Sequence, residues 1–150
     1  MLTSSCIPSI FPGLVIEETE LTDAEVFIAV QSTETSATCS KCGMVSIRHH
    51  SNYLRHVQDT PIGLFIVWLR LKARRFRCDN PNCKQQTFAE QYPDLVLRRR
   101  RRRSRLLLQL AHIGLALGSS AGARLAGKVV MFASAQMQFK LLTAGICSKI

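Results

Sequence analysis

Apolar and polar positions alternate through the first half of the chain, and near residue 104 the period changes. Residues 14–18 and 25–31 are short runs of β-forming residues, and in the second Val26, Ile28 and Val30 fall on one face. Residues 21–24 predict a turn between them. Residues 53–59 predict another strand, closed by a turn over 61–63. The clearest alternation spans 65–77: Phe65, Val67, Leu69, Leu71 and Ala73 point one way, and Trp68, Arg70, Lys72 and Arg74 the other. That pattern predicts a core face backed by a basic stripe.

From residue 105 the spacing is helical. Leu106, Leu110, Ile113 and Leu117 share a face over 105–117, and Gly118 suits the residue that follows a helix end. Ser119 and Ser120 offer an N-cap for a second helix reaching 126, and Ser134 for a third reaching about 144. In the third, Met137, Leu141 and Ala144 form one face and Gln136, Lys140 and Thr143 another. Gln binds adenine bidentately and Lys reaches guanine or phosphate, so the second face suits a major groove. A small amphipathic bundle with ordinary polar exposure fits the same spacing equally well.

Charge narrows the class of partner. The 150 residues carry a formal net charge of +10, with 47% hydrophobic residues. That apolar content is globular and excludes wholesale disorder. Residues 1–69 are net −4, residues 70–105 net +10 and residues 106–150 net +4, so the basicity is concentrated centrally. A polyanionic partner or an anionic membrane surface is implied. The N-terminal segment has no basic start, and its apolar stretch is broken by Pro8 and Pro12, which is unlike a signal peptide. The apolar run 106–117 is too short for a bilayer span of about twenty residues, so no membrane is expected. The six cysteines are then read as cytoplasmic thiols, for which metal binding outranks disulfides.

Two cysteine hooks carry the sharpest chemistry. Cys39-x2-Cys42 is followed, 35 residues later, by Cys78-x4-Cys83. Zinc takes four soft ligands in a tetrahedron, and two tight turns supply them. Gly43 after the first hook and Asp79-Asn80-Pro81-Asn82 inside the second are the turn residues needed. Cys39, Cys42, Cys78 and Cys83 are the expected ligands of one Zn2+, in a zinc ribbon. Cys6 and Cys147 have no neighbour at ligand spacing, and His49, His50 and His56 are ordinary histidines beside four available thiols.

Six consecutive arginines, Arg98, Arg99, Arg100, Arg101, Arg102 and Arg103, precede Ser104 and Arg105. A run of like charge is often only a solvated segment. Between a zinc module and a helical unit, guanidinium groups can also pair with backbone phosphates. Arg70, Lys72 and Arg74 on the strand stripe are expected to join them.

Taken in order, the motifs Cys39-Ser-Lys-Cys42-Gly43, His50-Ser51-x-Tyr53-x-Arg55, Asp59-x-Pro61-x-Gly63 and Arg74-Arg75-Phe76-x-Cys78-x-Asn80-x2-Cys83 form one set. It continues with Thr87-Phe88-x-Glu90, Pro93, Leu95, Ile113-Gly-Leu-Ala-Leu-Gly118 and Ala121-Gly-Ala-Arg-Leu-Ala126. Over roughly residues 12–126 this set resembles the N-terminal part of the ISL-three family of bacterial insertion-sequence transposases. The resemblance implies a zinc module, a helix-turn-helix, and then an acidic-triad domain that cuts and joins DNA. No Asp or Glu occurs from Leu95 to Ile150, so nothing in that stretch can hold the two metal ions such chemistry needs. The likeness fades after Ala126, as in a truncated or frame-shifted chain.

The expectation is an α+β fold: N-terminal strands over 1–36, a zinc-binding β module over 37–94, an arginine-rich linker over 95–104, and a helix-turn-helix over 105–150. The expected role is non-enzymatic binding of double-stranded DNA, at insertion-sequence ends by the resemblance, in a bacterial cytoplasm, with a homodimer left open. An RNA-binding zinc-ribbon protein and a decayed gene product without a selected role are the alternatives.

Overall fold

The computed structural model describes residues 11–129 together with 131 and 136. Strands β1 (Leu14–Leu21) and β2 (Glu25–Ser32) form an antiparallel pair. Thr22 fixes the connection, its hydroxyl accepting from the Glu25 amide at 3.0 Å and donating to the Glu25 carbonyl at 3.1 Å. Two-residue strands β3 (Ala37–Thr38) and β4 (Val45–Ser46) make a separate small hairpin. The long strands β5 (His49–Ile62) and β6 (Phe65–Arg77) pair antiparallel around a two-residue loop. Gly63 opens that loop at φ +60, a conformation in which a Cβ is strained. Strand β7 (Thr87–Ala89) pairs with the end of β6.

The main sheet runs β1-β2-β6-β5, with β7 also on β6. Strand β2 lies parallel to β6, from Glu25 opposite Ile66 to Gln31 opposite Lys72. The N-terminal strands expected as a separate unit are therefore part of the same sheet as the long hairpin. Strand β5 extends past the expected residues 53–59 at both ends, where polar residues and register shifts break the alternation that would have revealed it. Its register shifts between His49 and Ser51 and again between Asp59 and Ile62. Pro61 is tolerated there because, among the described residues, no further strand of the sheet flanks β5 on its outer side.

The alternation of residues 65–77 is realised. Val67, Leu69, Leu71 and Ala73 are buried, packed with Val30, Val57, Phe11, Leu14, Leu95 and Val96. Full burial of each of the larger aliphatic side chains contributes about 1.5–3 kcal/mol. Leu95 and Val96 show that the segment expected as a linker, 95–104, is not a free connector. Its start fills the core, and its end lies along β5: the Gln58 amide donates to the Arg101 carbonyl at 2.8 Å, and the Arg103 amide to the Gln58 carbonyl at 2.9 Å.

Helix α1 (Ser104–Lys128) is interrupted at Gly118, whose φ of +76 and ψ of 171 are not helical. The break falls where the sequence placed a helix end. A Cβ built on Gly122 would lie 3.2 Å from the Gly114 Cα. Eight residues of continuous helix would separate them by about 12 Å, so the second arm folds back on the first. Leu106, Leu107, Leu110, Ala111 and Ala126 pack between the arms. By length and composition α1 could cross a membrane. The break leaves arms of residues 104–117 and 119–128, both shorter than the roughly twenty residues a span needs.

A complete helix-turn-helix is not shown. Of the expected third helix only Gln136 is described, and it is helical and exposed. Lys140 lies outside the described residues.

Candidate metal centre and basic groove

The small hairpin and the β6–β7 connection each present two cysteines. Strands β3 and β4 bracket the first hook, where the Cys39 amide donates to the Met44 carbonyl at 2.8 Å and the Gly43 amide to the Cys39 carbonyl at 2.9 Å. Gly43 takes φ +74, which lets the chain return immediately after Cys42. The second hook leaves β6 at Cys78, whose amide donates to the Gln86 carbonyl at 2.8 Å. Inside it the Asn80 side chain accepts from the Asn82 amide at 2.9 Å, and the Cys83 amide donates to the Asn80 carbonyl at 3.1 Å. Arg48 and Asp79, one beside each hook, form an ion pair at 3.0 Å. Phe76 and Phe88 stack at 6.1 Å beneath Cys39 and seal its buried side.

The four sulfurs of Cys39, Cys42, Cys78 and Cys83 lie within 4.8 Å of one another, and those of Cys42 and Cys78 are 3.5 Å apart. In a tetrahedral site with sulfur about 2.3 Å from zinc, sulfur pairs are about 3.8 Å apart. The donor set therefore fits Zn2+. The Met44 backbone favours the Cys42 thiolate and outweighs burial, and with the neighbouring thiols brings its pKa down to about 7. At Cys78 the Asn80 backbone favours the thiolate, but burial and the three other sulfurs overcome it and push the pKa up to about 12. Clustered thiolates repel one another, and a divalent ion among them offsets that repulsion. The histidines stay out of this cluster. His49 pairs with the Asn52 side-chain oxygen at 2.8 Å, and His50 with the Ser51 hydroxyl at 3.0 Å.

The basic residues divide into three groups. On the strand stripe, Arg70 binds Glu20 at 2.8 Å and covers the Phe27 ring, and Lys72 lies 3.8 Å from Glu17. Arg74 holds Glu90 with two hydrogen bonds of 2.9 Å. Burial alone would raise the Glu90 pKa, but hydrogen bonds from Arg74, Tyr92 and Ser32 outweigh it and hold it below its ordinary value.

Arg103 and Arg105 form the second group, and they depart from the expected phosphate role. Both clamp the carboxylate of Asp59, Arg103 through Nη1 at 2.8 Å and Arg105 through Nε and Nη2 at 2.6 Å each. Arg103 is itself buried, with its guanidinium over the Phe11 ring. Arg102 hydrogen-bonds the Gln58 side chain at 3.2 Å.

The third group, Arg98, Arg99, Arg100 and Arg101, is exposed, and no ion pair among the described residues uses it. The Arg100 amide donates to the Leu97 carbonyl at 3.0 Å, closing a tight turn in which Arg99 takes φ +61. Arg55 braces this turn, its Nη2 donating to the Leu97 carbonyl at 3.1 Å and the Arg100 carbonyl at 2.6 Å. Beside the turn lies a groove of about 960 Å³, whose lining includes Phe27, Tyr53, His56, Trp68 and Arg98 through Arg102, and no carboxylate.

Sequence reasoning missed Asp59, Glu90, Arg55 and Trp68 as site-forming residues. The first three stand in the ordered motifs that carry the family resemblance, which was the signal available for them. Trp68 was visible only as part of the basic face.

No curated protein and no solved structure matches the chain. Residues 35–83, about a third of the chain, match the family described as the zinc-finger of transposase IS204/IS1001/IS1096/IS1165. The region holding the four clustered cysteines is thus a zinc-binding region similar to the zinc ribbon of ISL3-type transposases.

Proposed function

We propose that this chain is a zinc-stabilised DNA-binding region of a transposase, and that these residues hold DNA without cutting it. The observation that carries the reading is the arginine turn. Four exposed guanidinium groups, with no carboxylate paired to them, border a groove beside a transposase-like zinc ribbon. Such groups bind backbone phosphates and give affinity without sequence information. Arg70, Lys72 and Arg74 contribute to the same positive field but must first yield their carboxylate partners. In this reading the duplex is that of insertion-sequence ends in a bacterial cytoplasm, two copies can engage two ends, and Gln136 and Lys140 read bases.

The absence of catalysis is supported by where the carboxylates lie. Asp59 and Glu90, the buried pair, are neutralised by arginines. The test is titration of zinc-loaded protein onto duplex DNA at several salt concentrations, followed by incubation with Mg2+ or Mn2+. Salt-sensitive binding without nicked or joined product is expected. Failure to bind duplex at low salt, or reproducible cleavage by pure protein, overturns the reading.

A further inference from the structure

The groove has features that a phosphate-binding surface does not require. Phe27 lies opposite Trp68, Trp68 opposite Gln58, and Gln58 bridges to Arg102. These four residues form one row across β2, β6, β5 and the arginine segment. With strands about 4.8 Å apart, the row spans about 14 Å. It starts in aromatic rings and ends in guanidinium groups. The Trp68 ring is fixed in place, because its Nε1 donates to Glu25 at 2.9 Å. His56, opposite Arg70, continues this face on β5, while Tyr53 lines the groove from the other face of the sheet, opposite Ala73.

A double helix keeps its bases stacked inside, where a groove of this size cannot reach their faces. Its phosphates would use the arginine turn and leave the rings without a role. Unpaired nucleotides offer both chemistries at once, a charged backbone for guanidinium groups and a π-face for an aromatic platform. The braced turn and the fixed indole are already in position, so little ordering accompanies binding.

We propose that this groove binds a short single-stranded segment of nucleic acid. Its phosphates lie along Arg98 to Arg101 and a base stacks against Trp68. The inference rests on the nucleic-acid reading above and deepens it by naming the strand state that the groove accepts.

The experiment uses the full zinc-loaded chain and the fluorescence of Trp68, its one tryptophan. The probes are an oligothymidylate of about ten nucleotides, an abasic oligomer of equal length and charge, and a duplex. Oligothymidylate should quench Trp68 emission and bind at least about fivefold more tightly than the abasic oligomer, which should leave emission unchanged. Followed by anisotropy of a labelled oligomer, Trp68→Ala should lose about fivefold or more on oligothymidylate and little on the abasic oligomer. Trp68→Phe should retain the preference. If Trp68→Ala fails to fold, the quenching contrast and Trp68→Phe decide the matter. Equal affinity for both oligomers with unchanged emission overturns the single-strand site, while duplex binding leaves the broader reading standing. Binding to none of the three at low salt overturns both.

Discussion

Asp59, buried on the β5 strand, accepts a 2.8 Å hydrogen bond from Nη1 of Arg103, forty-four residues further along the chain. Arg105 adds two more at 2.6 Å, and the Thr60 amide a fourth at 2.7 Å. One carboxylate thereby anchors the end of the arginine run and the first turn of α1 to the sheet.

Removing that carboxylate leaves a buried guanidinium without its main counter-charge. Asp59→Ala should cost about 3–5 kcal/mol. Arg103→Met should cost less, because Arg105 still satisfies both Asp59 oxygens. Urea unfolding of the two variants checks the order, and an equal or reversed ranking would contradict the clamp.

Zinc removal should unfold the hooks and the strands that meet them. Structural zinc supplies about 10–16 kcal/mol of apparent binding free energy near neutral pH. One zinc per chain is expected by metal analysis, and Cys39→Ser or Cys83→Ser should abolish tight binding. A folded hook region that persists in chelator, by amide exchange, would rule this out.

The exposed and the clamped arginines should separate in a salt titration. On duplex DNA each phosphate neutralised contributes about 0.9 to the slope of log K against log salt. Replacing Arg98, Arg99 and Arg100 by Gln should reduce that slope by up to about 2.7. Arg103→Met, in contrast, should change stability and leave the slope nearly intact. An unchanged slope in the triple variant would mark the turn as a solvated loop.

The two arms of α1 meet through glycine. In Gly122→Ala the new Cβ would press on Gly114 and Ile113 backbone atoms at 3.2–3.3 Å, costing about 1–3 kcal/mol. Gly127 has nothing within 4 Å of such a Cβ, so Gly127→Ala should stabilise by about 0.4–1 kcal/mol. Thermal unfolding of both variants distinguishes a folded-back hairpin from a continuous helix, in which the two changes would act alike.

Acid should weaken the Arg74–Glu90 contact. The Glu90 pKa in the folded chain is held below 4.5, its ordinary value. Its stabilisation is therefore fully present above that pH and is lost as pH falls through the folded value. Glu90→Gln should flatten the acid limb of a stability–pH curve, and an unaltered limb would show that the pair contributes nothing there.

Features that are local in period or spacing were legible along the chain before any fold was known. Alternation showed which face of residues 67–73 is buried, since side chains on a strand point to opposite sides every second residue. Gly118 marked a helix end because a positive φ strains any side chain with a Cβ. The two cysteine hooks singled out the four thiols that the fold clusters, because a tetrahedral ion requires close pairs on tight turns. Tertiary structure alone decided the parallel contact of β2 with β6, which no local pattern encodes. It also decided which arginines are available. Arg98 and Arg103 are chemically identical members of one run, but the chain turns at Arg99 and then runs beside β5. That path carries Arg103 to Asp59 and leaves Arg98 in solvent. Charge in a sequence has sign and position; its partner is set by which distant carboxylate the fold brings within about 3 Å.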